Sequence, residues 1–513
     1  MKLLFSLCFL MSVCSVQSQT LVIGGLEDIT ARNNQLLHNA DSLVSFTIRP
    51  LSQKRPPKNN RLHYALLPAT LVQQYNTHHP YGWNDGSMMA AKGYQTQLSV
   101  GAWASLGPLE VQLRPELVYA ANPPYQSNAY YGNTGTPTYT KLFPGQSSVR
   151  LSAGPLSVGL STENLWWGPG MNSSLLMSNN APGFLHGFLA TRKPLKTPLG
   201  TIEFQLIGAR LTNNNQYPYE NRQLQLAGLN NDGRYLSAYA ISWNPRWVPG
   251  LFLGMTRGMQ RYWKDVQGSQ NMSLLKKYVP VLANTFQKQN NQGDDTLNTD
   301  QLASFFLRWV LPQSKAEFYV EYGYNDYGQN IRDYMMSPTH SAAYLVGFKK
   351  IMLLPGDQYL DLGIEMTRMA QSPDYITREA GNWYEHGQVV QGYTHLNQMM
   401  GAGAGFGANL QTIKATWVSR VKQLGFQLER VERPRAINSI VDYPLGGVPK
   451  WTDLSIGIMP QWKYGNAIIG AKLQLINSAN YMWEQNLNRF NIHTRFMISY
   501  YFNKKDGDKN TRF

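Results

Sequence analysis

Beyond its first residues the chain lacks cysteine and long apolar runs. Both cysteines, Cys8 and Cys14, lie in residues 1–18, so the remainder can form no disulfide and offers no thiolate to a metal or a substrate. After that segment no apolar stretch reaches the roughly 18 residues that a membrane-spanning helix needs. Helical membrane spanning and cysteine chemistry are therefore excluded.

The first residues have the layout of a secretory signal. Lys2 precedes the apolar run 3–11, and small and polar residues then lead to Ser18. We predict cleavage after Ser18. The alternative is a lipid-modified Cys14, but Val13 stands where a lipobox prefers Gly or Ala. An exported chain without disulfides must be stabilised by another structural feature, such as a closed strand ladder that pairs every backbone group.

Charge is also scarce: charged residues make up 15% of the 513 residues, whereas about a quarter is usual. Aromatic residues make up 12%, which suits a wall that meets lipid with Tyr and Trp at its interfaces. A soluble carbohydrate-binding β protein fits this composition equally well. The net charge of +15 favours acidic polysaccharide and lipopolysaccharide phosphates over nucleic acid as partners of an exported chain, although a solvated basic surface is the alternative.

Period-2 alternation distinguishes a barrel in lipid from a soluble β protein. Within 109–119, Glu110 and Gln112 fall on one face and apolar residues on the other. A polar, mostly charged face suits a water-filled lumen with lipid on the opposite side better than the interior of a sandwich. Similar runs occur at 94–104, 202–206, 317–324, 360–366, 454–458, 472–475 and 492–502. They predict an all-β transmembrane β-barrel with antiparallel strands in the upper teens.

We divide the chain accordingly. Residues 1–18 are the signal peptide, 19–60 an N-terminal segment with a short helix within 24–44, 61–502 the barrel, and 503–513 a polar tail. Long loops are expected near 120–148 and 264–303 because these segments are rich in polar and turn residues.

Two segments contain candidate binding residues. Trp166 and Trp167 can stack on sugar rings, and Asn179 and Asn180 can bond their hydroxyls, so we predict these four as polysaccharide-binding residues. An inward-folded loop or an interface anchor is the alternative. The segment 76–86 is also rich in polar and aromatic residues and suits tight turns or polysaccharide contact. Its adjacent histidines point apart on an extended chain, which disfavours a metal site.

Enzymatic alternatives have weaker signals. The carboxylates within 317–326 and at Asp333 would suit a glycosidase, but they equally line a polar lumen. His386 and His395 would suit a hydrolase, but no Gly-x-Ser-x-Gly elbow accompanies them. The glycine run 401–407 lacks the context of a phosphate loop and is expected to let a strand bend. We predict no catalytic residue, cofactor or metal.

Several segments together resemble the capsule assembly Wzi family. They lie in order between about residues 62 and 410: Tyr75–Asp85, Lys92–Gln95, Arg114–Glu116, Glu163–Gly170, Ser178–Pro182, Glu321–Gly323, Asn325–Asp326, His340 and Gln391–His395. The resemblance implies an outer-membrane barrel of about eighteen strands that holds capsular polysaccharide as a lectin and does not cut it. It also implies a helical bundle as a periplasmic plug, but residues 19–60 are short for three helices.

We therefore expect a non-enzymatic outer-membrane protein that attaches or assembles capsular or exopolysaccharide. Outer-membrane lipid and lipopolysaccharide are further expected partners, and the protein is expected to be a monomer. A diffusion channel or transporter, and an outer-membrane hydrolase, are the alternatives.

Overall fold

The computed structural model describes residues 21–38, 40, 42–51, 62–125, 138–213, 233–268, 273–283, 299–325, 339, 341–370, 382–434 and 449–502. The predicted signal peptide and polar tail lie outside these residues, as do Asp326, Asp333 and His340. No helix in the described ranges is long and apolar enough to cross a membrane.

Strands dominate the described chain. Four short helices occur: α1 (Leu26–His38), α2 (Trp263–Gly268), α3 (Leu274–Tyr278) and α4 (Pro280–Ala283), with a 3-10 turn at Tyr481–Trp483. The strands are β1 (Ile48–Arg49), β2 (Leu62–Asn76), β3 (Gly93–Leu106), β4 (Leu109–Leu113), β5 (Glu116–Ala120), β6 (Tyr139–Phe143), β7 (Ser148–Ala153), β8 (Leu156–Ser161), β9 (Trp166–Trp167), β10 (His186–Thr191), β11 (Leu195–Thr197), β12 (Gly200–Leu211), β13 (Arg234–Pro245), β14 (Leu251–Tyr262), β15 (Asp300–Leu311), β16 (Ala316–Asn325), β17 (Ala342–Leu354), β18 (Gln358–Arg368), β19 (Thr394–His395), β20 (Gln398–Met399), β21 (Asn409–Ser419), β22 (Lys422–Arg433), β23 (Trp451–Tyr464), β24 (Ala467–Ala479) and β25 (Arg489–Tyr500).

The strands outside two small ribbons form one closed antiparallel barrel. The pairs β4–β5, β6–β7 and β10–β11 are interrupted halves of single strands, so the described wall has eighteen strands. β2 closes the barrel by pairing with both β3 and β25. The ribbons β1–β9 and β19–β20 are separate sheets that do not pair with the wall strands. The predicted fold class is confirmed.

The wall is apolar outside and polar inside. In β3, Leu98 and Val100 are 46% and 47% exposed, whereas Gln95 between the same neighbouring strands is fully buried. In β4, Glu110 and Gln112 are buried while Leu113 is exposed. This is the reverse of a water-soluble sheet and is the arrangement of a barrel with lipid outside and a polar lumen.

The connections differ between the two ends of the barrel. Short turns lie at one end and join β3 to β4, β7 to β8, β11 to β12, β13 to β14, β15 to β16, β17 to β18, β21 to β22 and β23 to β24. The other connections between neighbouring strands are longer in sequence, and the strand ends that border them lie at the opposite end. Short turns face the periplasm in bacterial barrels and long loops face outward.

Helix α1 lies inside the short-turn end and forms a plug. Its Arg32 side chain forms an ion pair of 2.8 Å with Glu317 of β16 and donates a 2.8 Å hydrogen bond to the Pro169 carbonyl. Asn33 donates to Asp361 at 3.1 Å. In the described part of residues 19–60, α1 is the one helix, and strand β1 follows it.

Two predicted loop regions contain regular elements. The segment 120–148 includes strand β6, and 264–303 contains most of α2, α3 and α4 together with the start of β15 at Asp300. β6 has only five residues, which is too short for a distinct period-2 pattern, so only its pairing with β5 reveals it.

Candidate functional site

Three connections fold into the barrel from the long-loop end. We name them the first (77–92), second (162–185) and third (382–408) inward segments. The second and third pack against each other and the wall through buried residues that include Leu165, Trp167, Leu175, Leu176, Met177, Trp383, Tyr384, Tyr393, Met399 and Met400. Residues 163–183 therefore form an inward-folded loop, which was the alternative prediction for this segment.

The glycine run lies in the third inward segment and not in a strand, so the expectation of a bent strand was wrong. A Cβ atom at Gly401 would lie 2.2 Å from the Tyr384 hydroxyl, and one at Gly403 would lie 2.4 Å from Asn180 Oδ1. Glycine is needed there because backbone and side chains approach closely inside the filled lumen.

Wall carboxylates hold the second inward segment. Glu365 accepts hydrogen bonds from the backbone N–H groups of Met171 (2.6 Å) and Ser173 (2.8 Å), and also from Asn172. Glu321 accepts from Ser304 Oγ at 2.7 Å and from the Leu175 N–H at 3.3 Å. Of the carboxylates that suggested a glycosidase, Glu321 is thus bonded to the second inward segment, and Glu317 is bonded to Arg32 and Arg308.

A cavity of about 570 Å³ remains between α1, the first inward segment and the wall, to which β2, β3, β18 and β21–β25 contribute. Polar residues that border it include Asn84, Asp85, Asn172, Asn179, Lys414, Gln427, Glu429, Lys472, Gln474 and Arg495. Trp83, Tyr81 and Trp166 add aromatic surface. Amides and charged groups beside aromatic rings suit a polyhydroxylated ligand.

Two lysines place positive charge at the cavity. Lys414 donates to Asn172 Oδ1. Lys472 forms no hydrogen bond or ion pair with any residue of the described ranges, although Arg495 beside it pairs with Asp85 at 3.3 Å. Glu429 is already bonded by the Tyr81 hydroxyl at 3.1 Å and Gln427 at 2.7 Å. The Lys472 ammonium can therefore donate hydrogen bonds to a ligand in the cavity.

The four predicted polysaccharide-binding residues separate into two pairs. Trp166 and Asn179 border the cavity. Trp167 is fully buried and donates its indole N–H to Gln205 at 2.8 Å. Asn180 is buried and donates to the Met399 carbonyl at 3.1 Å. Neither of the latter two faces open space, so they can only act through their neighbours.

Trp166 has an unusual environment. The Arg49 guanidinium lies 4.7 Å from the centre of its ring, and its buried indole Nε1 has no hydrogen-bond partner among the described residues. Trp83 lies in the segment 76–86, for which polysaccharide contact was one of two predictions, whereas Lys414 and Lys472 were not predicted as binding residues. The alternation in β24 does place Lys472 on the lumenal face, but its proximity to Trp83 depends on how the first inward segment folds.

The two histidines that suggested a hydrolase accept backbone hydrogen bonds. His386 Nδ1 accepts from the Val389 N–H at 3.0 Å, and His395 Nδ1 accepts from the Thr212 N–H at 3.3 Å. Burial lowers the pKa of His395 to about 3, and Arg234 and Lys141 add to the shift. Both rings thus stabilise connections at the long-loop end.

Acidification is expected to loosen the first inward segment. Burial, assisted by His78 and Arg433, lowers the pKa of His79 from 6.5 to about 3. The folded state therefore binds a proton on His79 more weakly than the unfolded state does. The contribution of neutral His79 to the free energy of unfolding is complete above pH 6.5 and is lost progressively as the pH falls towards 3. Each pKa unit corresponds to about 1.4 kcal/mol.

Hydrogen exchange of residues 77–92 between pH 7 and pH 4 measures this loosening, after correction for the intrinsic pH dependence of exchange. In a His79→Asn variant the acid-induced increase in opening should be smaller. An equal increase in both proteins would contradict the assignment.

Among curated proteins, no sequence matches the chain. The structure of Wzi from Escherichia coli, an outer-membrane protein involved in group 1 capsule assembly and described as a carbohydrate-binding β-barrel, is similar. It has a TM-score of 0.62 at 13% identity, with 95% of this chain and 100% of that chain covered.

Two other barrels are less similar. Pseudomonas aeruginosa OpdQ has a TM-score of 0.43 at 11% identity, covering 85% of this chain and 97% of its own. Acinetobacter baumannii OccAB4 has a TM-score of 0.40 at 9% identity, covering 87% and 99%. These scores are too low to carry functional meaning. The sequence profile of the family described as capsule assembly protein Wzi matches residues 72–464, which is most of the barrel, and the chain therefore belongs to that family.

Proposed function

We propose that this protein binds a capsular or exopolysaccharide at the outer membrane and holds it on the cell surface without cutting it. The observation that carries the proposal is the family match over residues 72–464. The likeness to a barrel that is described as carbohydrate-binding supports it.

The filled lumen supports a binding role over a transport role. Helix α1 occupies the short-turn end, and the second and third inward segments occupy much of the long-loop end. A diffusion channel needs a continuous aqueous path. We therefore propose that the protein conducts ions poorly in planar bilayers.

The cavity provides suitable groups for sugar recognition. Trp166 and Asn179 from the predicted set border it, as do Trp83 and Asn84. We propose that Trp83, Trp166 and Asn179 contact saccharide units directly, while Trp167 and Asn180 hold the second inward segment in place. The amides, ammonium groups and aromatic rings at the cavity are suited to bind and orient a sugar.

The remaining expected properties belong to the same proposal. The apolar outer wall would contact outer-membrane lipid, and the +15 net charge would favour lipopolysaccharide phosphates. We also propose that the signal peptide is cleaved after Ser18 and that the protein is a monomer. N-terminal sequencing of the mature protein tests the cleavage site, and its mass in detergent tests the monomeric state.

Polymer retention provides the experiment. Deleting the gene is expected to lower cell-attached polysaccharide and raise shed polysaccharide, with wild-type levels restored by complementation. Unchanged amounts in both fractions would contradict the proposal and would give precedence to conductance and hydrolysis assays.

Removing Trp83 should reduce polymer binding. Trp83→Ala removes a half-buried ring from the cavity border, and loss of such an aromatic anchor commonly costs about 2 kcal/mol or more of binding free energy. We expect attached polymer and the affinity of purified protein for it to fall at least about tenfold. Trp247→Ala is the matched control because Trp247 is exposed near the short-turn end. Equal binding by both variants, with equal amounts of folded barrel, would contradict the role of the cavity.

A further inference from the structure

The short-turn rim of the barrel carries an uneven distribution of charge. Six consecutive turns contribute exposed or half-exposed cations, which we name the basic arc: Lys193, Lys196, Arg246, Lys315, Lys350, Arg420, Lys422 and Lys463. Asp357 is the one acidic side chain exposed on these turns in the described ranges. The two remaining turns, Leu106–Leu109 and Ala153–Leu156, contain no charged residue. The positive charge therefore lies on six consecutive turns of the eight.

Within the described part of the chain, the cations of the arc have no acidic partner. None of them forms an ion pair with a residue of the described ranges, and Lys350 donates only to the Ser314 carbonyl. By contrast, Arg192 and Lys349 nearby point inward and pair with Glu110 at 3.8 Å and Asp361 at 3.0 Å. The rim thus keeps its outer cations available while the lumenal ones are neutralised.

Exposed aromatic side chains lie beside these cations. Trp247 follows Arg246 directly and is 63% exposed. Lys463 stands between Trp462 and Tyr464, of which Tyr464 is 78% exposed. Tryptophan and tyrosine settle at the boundary between acyl chains and headgroups, and lysine and arginine extend from there to the phosphate level.

We propose that the basic arc binds the phosphates of anionic phospholipids in the membrane leaflet at the short-turn end. The apolar wall places the arc at headgroup depth, and a row of unpaired cations attracts an anionic lipid surface. A flat cationic rim flanked by lipid-facing aromatics favours lipid phosphates over an acidic protein, which would require complementary surface away from the bilayer. This inference is independent of polysaccharide binding.

Lipid retention tests the proposal. The full-length protein is reconstituted in vesicles of phosphatidylethanolamine with a minority of phosphatidylglycerol and extracted gently, and the retained lipids are counted by native mass spectrometry. We expect phosphatidylglycerol to be enriched over its bulk fraction. Replacing Lys193, Arg246, Arg420 and Lys422 with Gln should reduce that enrichment at least about threefold.

The control removes the same charge from the long-loop end, by changing exposed Arg210, Lys264, Lys276 and Arg368 to Gln. Its enrichment should equal that of the wild type. Equal enrichment in both fourfold variants, or retention by the wild type in the bulk ratio, would overturn the proposal. If the arc variant does not fold, a salt titration of the wild type decides, because phosphate binding by exposed cations must weaken as ionic strength rises.

Discussion

Replacing Glu317 with glutamine is expected to release helix α1 from the barrel wall. Glu317 lies between two buried cations: Arg32 of α1 pairs with one carboxylate oxygen at 2.8 Å, and Arg308 of β15 pairs with the other. All three side chains are almost completely buried. Without the carboxylate, two guanidinium groups remain close together without a counter-charge.

The expected effect is large because unpaired buried charge is costly. Removing one partner of a buried ion pair typically costs about 3–5 kcal/mol. Displacement of the helix from the lumen removes that penalty for Arg32, because its guanidinium is then hydrated. The fraction of molecules with a displaced plug should therefore rise by about a hundredfold or more.

The absence of cysteine after Cys14 permits a specific measurement. Leu36 in α1 is fully buried against Phe252, Val310 and Ile351. A Leu36→Cys variant introduces one thiol that a water-soluble reagent reaches only when the plug opens, so the rate of labelling reports plug displacement. Glu317→Gln should increase that rate by about a hundredfold in this background.

Asp453→Asn is the matched control. Asp453 is a fully buried wall carboxylate that pairs with Arg433 at 3.3 Å and accepts from Ser478 at 2.6 Å, both at the long-loop end. It has no contact with α1. With Asp453→Asn added, the labelling rate of Leu36→Cys should stay unchanged. If Glu317→Gln also leaves this rate unchanged, the ion cluster does not retain the plug.

Replacing Trp167 with alanine is expected to detach the second inward segment. The indole is fully buried in the core that the second and third inward segments share, and its N–H bonds Gln205 of β12. Tryptophan-to-alanine changes in packed cores cost about 3–5 kcal/mol, and the unpaired amide oxygen of Gln205 adds to this. Hydrogen exchange in 162–185 should accelerate strongly while the wall strands stay protected.

Trp167→Phe and Asn179→Ala separate packing from binding. Phenylalanine retains most of the buried area, so exchange should accelerate less than in Trp167→Ala. Asn179→Ala removes a half-buried amide at the cavity and should weaken polymer binding with little acceleration. Strong polymer binding by Trp167→Ala would show that recognition does not need an ordered second segment.

This distinction matters for the predicted set of binding residues. Changing Trp166 and Trp167 together would lower polymer binding whether the rings touch sugar or only support the fold. Trp166 borders the cavity and contacts Arg49, whereas Trp167 lies behind it. Adjacent residues on the extended strand β9 point in opposite directions, which is why two neighbouring tryptophans take different places.

Much of the wall was predictable from local pattern. The alternation in 109–119 and 492–502 predicts lipid-facing and lumenal faces, because side chains on a strand alternate whatever the surrounding fold. Helix α1 falls within the predicted segment 24–44. The break between β4 and β5 at Arg114–Pro115 was not predicted, since the alternation continues across it.

The interior was not predictable by the same means. Lys414 and Lys472 lie on strands β21 and β24, and only closure of the wall brings both to one cavity. The carboxylates of Glu321 and Glu365 have the same appearance in sequence as catalytic or channel-lining groups. Their bonds to the backbone of residues 171–175 depend on a segment that arrives from another part of the chain.

The amino-acid sequence by itself determined that the chain forms a barrel wall with one apolar and one polar face, because that property depends only on period-2 alternation and the scarcity of charge. It also determined the absence of crosslinks after Cys14. Only the tertiary structure decided what fills the lumen, which tryptophan borders the cavity and which cations remain unpaired. Those features depend on contacts between residues far apart in the chain, and local pattern carries no information about such contacts.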